Sequence, residues 1–187
     1  MNETFSAVGK AARASGSYAQ VCTADHATRY LRYGSGHPVL VLDCGVGDGG
    51  PDASVVDARD QIVWPELFER LSRGSRVILP DNPIVGPRFA GWLRGFIDGI
   101  GLPPLTLIAA GSICVAAMEF ALTDPERVQR LILIPAGAAE ENWLSAILTP
   151  TRSIANIPML VVRRTHPGDE ADDVIERFVA PSHPEER

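Results

Sequence analysis

The sequence predicts an α/β protein with a mostly parallel sheet flanked by helices. Short apolar runs bounded by turn residues recur along the chain, and segments of helical period separate them. Strands buried on both faces are continuously apolar, and helical connections allow neighbouring strands to run parallel. The runs that predict strands are 39–42, 76–81, 105–109, 130–134 and 157–162.

One unit, residues 105–134, carries most of this prediction. Leu105–Ala109 is a buried strand, and the small residues 110–112 form a turn. The following helix keeps its apolar residues on one face, and residues 124–128 break it before the second strand begins at Arg130. Strand, helix and strand of these lengths are typical of a parallel crossover. The apolar helix face consists of Ile113, Ala116, Ala117, Phe120 and Ala121.

The remaining elements follow from the same patterns. Residues 18–33 contain strand-like stretches before a Gly34–Gly36 turn, and residues 64–71 and 169–178 form amphipathic helices. A further helix spans 89–100, where glycines at every fourth position favour close packing against the sheet, and Gly101 ends it.

Length and composition are those of one globular domain. The chain has 187 residues, of which 45% are hydrophobic and 21% charged, enough to form a core. Residues 1–20 are rich in Ala, Gly and Ser and predict a flexible arm, which leaves 21–187 as the single domain.

Charge and cysteine usage exclude several function classes. The formal net charge is −6 with no evident basic face, which argues against nucleic-acid and membrane partners. Cys22, Cys44 and Cys114 have neither metal-ligand nor disulfide spacing, which favours a reducing, cytoplasmic location. The sequence predicts no signal peptide, metal or cofactor.

The 105–134 unit resembles the nucleophile elbow of the α/β-hydrolases, in which a strand ends in G-x-S-x-G and the serine occupies a sharp turn into a helix. Thr123–Val128 is similar to the connection that follows the elbow helix in that family. The resemblance extends from about Tyr30 to Val162 and implies a truncated α/β-hydrolase fold, with a reduced lid after Ile134 and a reduced last strand.

Two registers of the elbow remain open. An ungapped alignment from Pro125 places Gly111 at the nucleophile position, whereas Ser112 matches it after a one-residue deletion. Ser112 is then either a displaced nucleophile or a helix N-cap. Cys114 is either a thiol nucleophile or, preferably, a buried packing residue.

The resemblance also implies the other members of a catalytic site. In family order, the triad candidates are Ser112, Asp169 and His183, and each departs from the family's position or motif. His166 is a second candidate base, whereas His26 and His37 are expected at the surface. The implied oxyanion and pocket positions are Asp43, Cys44, Gly45, Gly111, Ile113 and His166.

The segment 41–49 offers a rival interpretation. It resembles motif I of the S-adenosylmethionine-dependent methyltransferases, and Gly45, Gly47 and Gly50 form a G-x-G-x-x-G pattern. That motif opens directly onto a helix in such proteins, whereas residues 51–60 are acidic and turn-like. The methyltransferase is therefore the lesser alternative.

Two main classes of function follow. The favoured class is an enzyme acting on a small molecule, either by weak ester or thioester hydrolysis or by a non-hydrolytic lyase, isomerase or cyclase reaction in the same pocket. The alternative is a catalytically inactive homologue that binds a ligand or a partner protein. The reduced lid and sheet edge also predict a homodimer, or a partner protein that covers them.

Overall fold

The computed structural model describes residues 16–23, 26–43, 65–81, 83–135, 153–154, 156–162 and 170–180. Within those ranges four α-helices and eight strands alternate along the chain. The helices are α1 (Pro65–Ser72), α2 (Phe89–Gly99), α3 (Cys114–Thr123) and α4 (Glu170–Val179). The strands are β1 (Ser17–Cys22), β2 (Ala27–Tyr33), β3 (His37–Asp43), β4 (Ser75–Pro80), β5 (Leu105–Ala110), β6 (Val128–Ile134), β7 (Ser153–Ile154) and β8 (Ile157–Val161).

The strands form one mixed sheet in the order β1-β2-β4-β3-β5-β6-β8-β7. β1 pairs antiparallel with β2, which pairs antiparallel with β4. From β4 through β3, β5 and β6 to β8 every pairing is parallel. The mostly parallel sheet is therefore confirmed, and the strand-like stretches of residues 18–33 form the antiparallel pair β1 and β2.

Helices cover both faces of the sheet. α1 and α4 pack on one face through residues such as Leu67, Leu71 and Ile175. α2 and α3 cover the other, where Phe96 and Phe120 are almost completely buried. Each such side chain contributes about 1.5–3 kcal/mol by leaving water, so the two layers hold the central strands in register.

The glycines of α2 differ in their surroundings. A Cβ on Gly99 would lie 2.5 Å from Val21 Cγ2, and one on Gly95 would lie 3.2 Å from Thr23 Cγ2. A Cβ on Gly91 would meet nothing within 4 Å. The predicted close packing therefore holds for two of the three positions, because the helix approaches β1 only along its second half.

α2 ends as the sequence predicted. Gly101 has a φ of 64°, and its N–H donates to Asp98 O at 3.1 Å. The N–H of Leu102 donates to Ile97 O at the same distance. These two bonds form a Schellman motif, which requires the left-handed backbone that glycine adopts without strain.

β1 begins at Ser17, so residues 17–20 of the predicted arm belong to the sheet, where they pair with β2. This agrees with the strand-like stretches that the sequence predicts from residue 18. His37, expected at the surface, is partly exposed at the start of β3. The carboxylate of Asp81, just after β4, pairs with Arg29 at 3.0 Å.

None of the helices in the described ranges is long and apolar enough to cross a membrane. Residues 136–152, which include the reduced lid implied after Ile134, lie outside those ranges, as do residues 1–15 of the predicted arm.

Candidate active site

Three parallel strands end side by side at the carboxyl edge of the sheet. Asp43, the last residue of β3, is in register with Ala110 of β5, and Ala110 is in register with Ile134 of β6. Ligand sites of open α/β sheets lie outside the carboxyl ends of the strands. This row is therefore the candidate site of the chain.

The turn after β5 is made by Gly111. Its φ is 72°, a left-handed value that L-residues with a side chain adopt only at a cost. Gly111 is buried, and its carbonyl accepts the N–H of Cys114 as the chain enters α3. A sharp strand-to-helix turn with this backbone is what an elbow needs, and glycine forms it without strain.

Ser112 follows as the middle residue of a 3₁₀ turn, Gly111–Ile113, and is exposed. Within the described part of the chain, Asn156 is the only non-glycine residue with a positive φ, so Ser112 does not have the left-handed backbone. The N-cap positions of the 3₁₀ turn and of α3 belong to Ala110 and Ile113. The interpretation of Ser112 as an N-cap is therefore wrong, because the helix begins with a tighter turn.

Cys114 is fully buried, and its thiol donates to Ala109 O at 3.3 Å. This confirms the packing role that the sequence favoured, since a nucleophilic thiol needs an accessible, electropositive environment. Ile113 is likewise buried, 1% exposed, and packs in the core between the sheet and α2 and α3.

Asp43 is buried at the end of β3, 9% exposed, and lies beside the last residue of β5. It is thus one strand away from the elbow. The structure brings Asp43, Gly111, Ser112 and Ile113 to one edge of the sheet. The remaining predicted site residues lie outside the described ranges: Cys44, Gly45, His166, Asp169 and His183.

The far end of the elbow helix is anchored by a buried carboxylate. Asp124 follows α3 and accepts from Arg94 Nε and Nη2, both at 2.8 Å, and from Thr123 Oγ1 at 2.9 Å. The hydrogen bonds from Arg94 hold the pKa of Asp124 below its ordinary value. Sequence reasoning treated this segment as a helix break and as the connection after the elbow helix. It did not find the pairing with Arg94, which lies 30 residues earlier in the chain.

His37 lies at the opposite edge, six residues before Asp43 and so about 20 Å away along β3. Its Nε2 is 3.3 Å from Thr106 Oγ1. Burial, and then the nearby positive charges of Arg130 and Arg76, lower the pKa of His37. It cannot act on a group at Gly111. Within the described residues, no group of three or more His, Cys, Asp or Glu side chains could hold a metal ion.

Solved structures share this arrangement of strands and helices. A crystal structure of a membrane phospholipase A, a bacterial virulence factor, matches 67% of this chain with a TM-score of 0.51 and 23% sequence identity. The chain has the α/β-hydrolase fold. Its match spans 41% of the length of that phospholipase.

Other structures with the α/β-hydrolase fold match less closely. A laboratory-evolved potato epoxide hydrolase matches with a TM-score of 0.49 and 17% identity, over 64% of this chain and 39% of that one. A haloalkane dehalogenase from Bradyrhizobium elkanii matches with a TM-score of 0.49 and 18% identity, over 64% of this chain and 40% of that one. No protein-family model matches the chain, and no curated protein does. The fold-level resemblance seen in the sequence is confirmed, whereas the glycine pattern of the rival methyltransferase lies largely outside the described residues.

Proposed function

We propose that this chain is a distant member of the α/β-hydrolase superfamily that binds a small molecule at the carboxyl edge of its sheet and forms no acyl-enzyme there. The observation that carries the proposal is the left-handed backbone of Gly111 at the elbow. In the fold's serine enzymes the residue with the strained turn backbone is the nucleophile. Here that residue has no side chain with which to attack a carbonyl.

The position of Ser112 supports the same conclusion. Successive residues of a 3₁₀ turn are separated by about 120° around its axis. The side chain of Ser112 therefore leaves the turn in a different direction from a side chain placed at Gly111. Its exposure agrees with a direction away from the buried strand end.

Chemistry that needs no serine nucleophile is compatible with this site, so a lyase, isomerase or cyclase reaction belongs to the same proposal. Hydrolysis through Ser112, with Asp169 and His183 as its partners, is the second candidate. The exposure of Ser112 favours it, because a nucleophile must be reached by its substrate.

Labelling with a fluorophosphonate, followed by intact mass and peptide mapping, distinguishes the two. We expect no stoichiometric adduct on the folded wild-type protein, with folding checked by circular dichroism. Ser112→Ala and the matched control Ser35→Ala, another exposed serine, are labelled in parallel. A full adduct on Ser112 that disappears only in Ser112→Ala would refute the proposal and establish an activated serine.

Binding is tested separately by thermal shift against a panel of short-chain esters, thioesters and amines, with S-adenosylmethionine in the first set. Stabilisation of the wild type that is lost in Gly111→Val, but kept in Gly91→Val on the exposed side of α2, would support binding at the elbow. Stabilisation by S-adenosylmethionine alone would favour the methyltransferase alternative.

We also propose that a second copy of the chain, or a partner protein, covers the β8 edge. On its outer side β8 pairs with β7 only at Ile157 and Pro158, so Met159–Val161 lack a strand neighbour there within the described residues. Val161 is 39% exposed. Unpaired strand edges favour association. Size-exclusion chromatography with light scattering at micromolar concentration is expected to give a dimer, and a clean monomer would contradict the homodimer.

A further inference from the structure

A polar cavity of about 460 Å³ lies at the opposite edge of the sheet, where the β2–β3 turn meets the starts of β1 and β4. It is separate from the row at Gly111. We infer that this cavity binds the phosphate group of a small molecule. Its lining residues are Ser17, Arg32, Gly34, Ser35, Gly36 and Arg76.

The register of the sheet brings the two arginines together. Arg32 of β2 pairs with Ile78 of β4, and Arg76 precedes Ile78 by two residues. Residues two apart on a strand point to the same face. Ser17 pairs with Arg32 from the other side. Both guanidinium groups and the Ser17 hydroxyl therefore lie on one face of the sheet at its amino-terminal edge.

The guanidinium of Arg76 lacks one hydrogen-bond acceptor in the described part of the chain. Its Nε is buried and has no hydrogen-bond partner among the residues that the structure describes. A buried donor without a partner costs about 1–3 kcal/mol, and native proteins satisfy nearly all such groups. Arg76 also lines the cavity, so the remaining N–H groups of its guanidinium are the donors available to a ligand oxygen there.

Other arginines of the chain have carboxylate partners. Arg94 holds Asp124 with two hydrogen bonds, and Arg29 pairs with Asp81. No acidic side chain lines the cavity, and neither Arg32 nor Arg76 has an ion pair within the described ranges. The cavity therefore has two guanidinium groups without a neutralising carboxylate among the described residues, although the chain as a whole has a net charge of −6. This local positive charge favours the binding of an anion.

The chemistry of the lining selects phosphate. Guanidinium forks match the oxygens of a phosphate in a bidentate arrangement. The hydroxyls of Ser17 and Ser35 add neutral donors. The cavity volume falls in the range of about 300–1,000 Å³ that is usual for small-molecule sites, so it accommodates a phosphomonoester with its organic part.

The electrostatic state of His37 agrees with this assignment. His37 begins the strand next to β4, and the nearby charges of Arg130 and Arg76, after burial, lower its pKa. A positive potential that disfavours protonation of a neighbouring histidine is one that attracts an anion.

Isothermal titration of the full chain with inorganic phosphate and with glycerol 3-phosphate, at constant ionic strength set by chloride, tests the inference. Saturable binding is expected, with tighter binding of the phosphomonoester. Arg76→Gln and Arg32→Gln should each weaken binding at least ten-fold. Arg88→Gln, which removes the same charge from an exposed position before α2, should leave the affinity unchanged.

A second measurement needs no variant. In amide chemical-shift titrations of the wild type, the resonances of Gly34, Ser35 and Gly36 should move with phosphate, whereas those of Gly111 and Ser112 should not. Absence of saturable binding, an equal loss of affinity in Arg88→Gln, or shifts confined to the elbow would each overturn the inference. Sedimentation with phosphatidic-acid vesicles without binding of the soluble phosphates would overturn the small-molecule assignment.

Because the cavity lies at the other end of the strands, this test is independent of the proposed function. Failure of phosphate binding leaves the elbow proposal standing, and labelling of Ser112 leaves the cavity inference standing.

Discussion

Replacement of Asp124 by Asn is the sharpest test of how the elbow helix is held. The carboxylate is 8% exposed and receives two hydrogen bonds from Arg94 and one from Thr123. Arg127 also approaches the carboxylate, with its Nε 3.7 Å from Asp124 Oδ1. Asn keeps the shape of the side chain but replaces one acceptor oxygen with an NH₂ group, so at least one donor of Arg94 or Thr123 then faces another donor.

The expected cost follows from burial. Hydrogen bonds to charged groups contribute about 1.5–3 kcal/mol, and breaking a fully buried ion pair costs about 3–5 kcal/mol. Arg94 is 45% exposed and regains water when its partner is lost, which lowers the penalty. We therefore expect Asp124→Asn to lower the free energy of unfolding by about 2 kcal/mol.

Urea denaturation measures the effect. With a slope of about 2 kcal/mol per molar urea, the midpoint should fall by about 1 M. The matched control is Asp98→Asn, which breaks a pair with Arg127 in which the aspartate is 56% exposed. Surface pairs contribute about 1 kcal/mol at most, so the control midpoint should move far less.

The pH dependence follows from the lowered pKa of Asp124, which the hydrogen bonds from Arg94 cause. A depressed folded-state pKa means that the stabilisation is complete above the ordinary aspartate value of about 4 and is lost as pH falls through the folded value. The stability difference between wild type and Asp124→Asn should therefore be largest near neutral pH and shrink below pH about 4. Equal midpoints for Asp124→Asn and Asp98→Asn at neutral pH would refute the reasoning.

Three further predictions concern single positions. Gly111→Ala should lower the free energy of unfolding by about 1–2 kcal/mol, because alanine disfavours the left-handed backbone; no loss in urea denaturation would contradict the elbow geometry. Gly99→Ala should lower the free energy of unfolding by about 1–2 kcal/mol, because the added methyl group would collide with Val21 of β1. Gly91→Ala should raise it by about 0.5–1 kcal/mol, because the position has open space around it and alanine favours the helix. Thermal unfolding should show these opposite signs. A thiol reagent followed by peptide mapping should modify exposed Cys22 in the native protein and buried Cys114 only after unfolding; native labelling of Cys114 would contradict its packing role.

The helices and strands that the sequence predicted well are those with a strong local signal. β5 is buried along its whole length and apolar at every position except Thr106, and the end of α2 at Gly101 is a local backbone motif. Residues 18–20 were assigned both to an arm and to a strand-like stretch, because they carry no apolar alternation; pairing with β2 decides for the strand. The partial burial of His37 comes from residues distant in sequence, such as Thr106.

The candidate site divides in the same way. The resemblance implied that Asp43 and the elbow belong to one pocket, and the pairing of β3 with β5 brings them to neighbouring strand ends. It left the register between Gly111 and Ser112 open, since a one-residue shift changes no composition or periodicity. The cavity at Arg32 and Arg76 was not foreseen, because the two residues are brought together only by the antiparallel pairing of β2 with β4.

By itself, the sequence determined the α/β class, the mostly parallel sheet and the resemblance to the α/β-hydrolases. Strands buried on two faces appear as continuous apolar runs, and helices appear as apolar residues at helical spacing. Only the tertiary structure decided which residue adopts the left-handed backbone at the elbow and which arginines have no carboxylate partner among the described residues. Both depend on backbone angles and on contacts between strands far apart in the chain, which the order of residues alone does not specify.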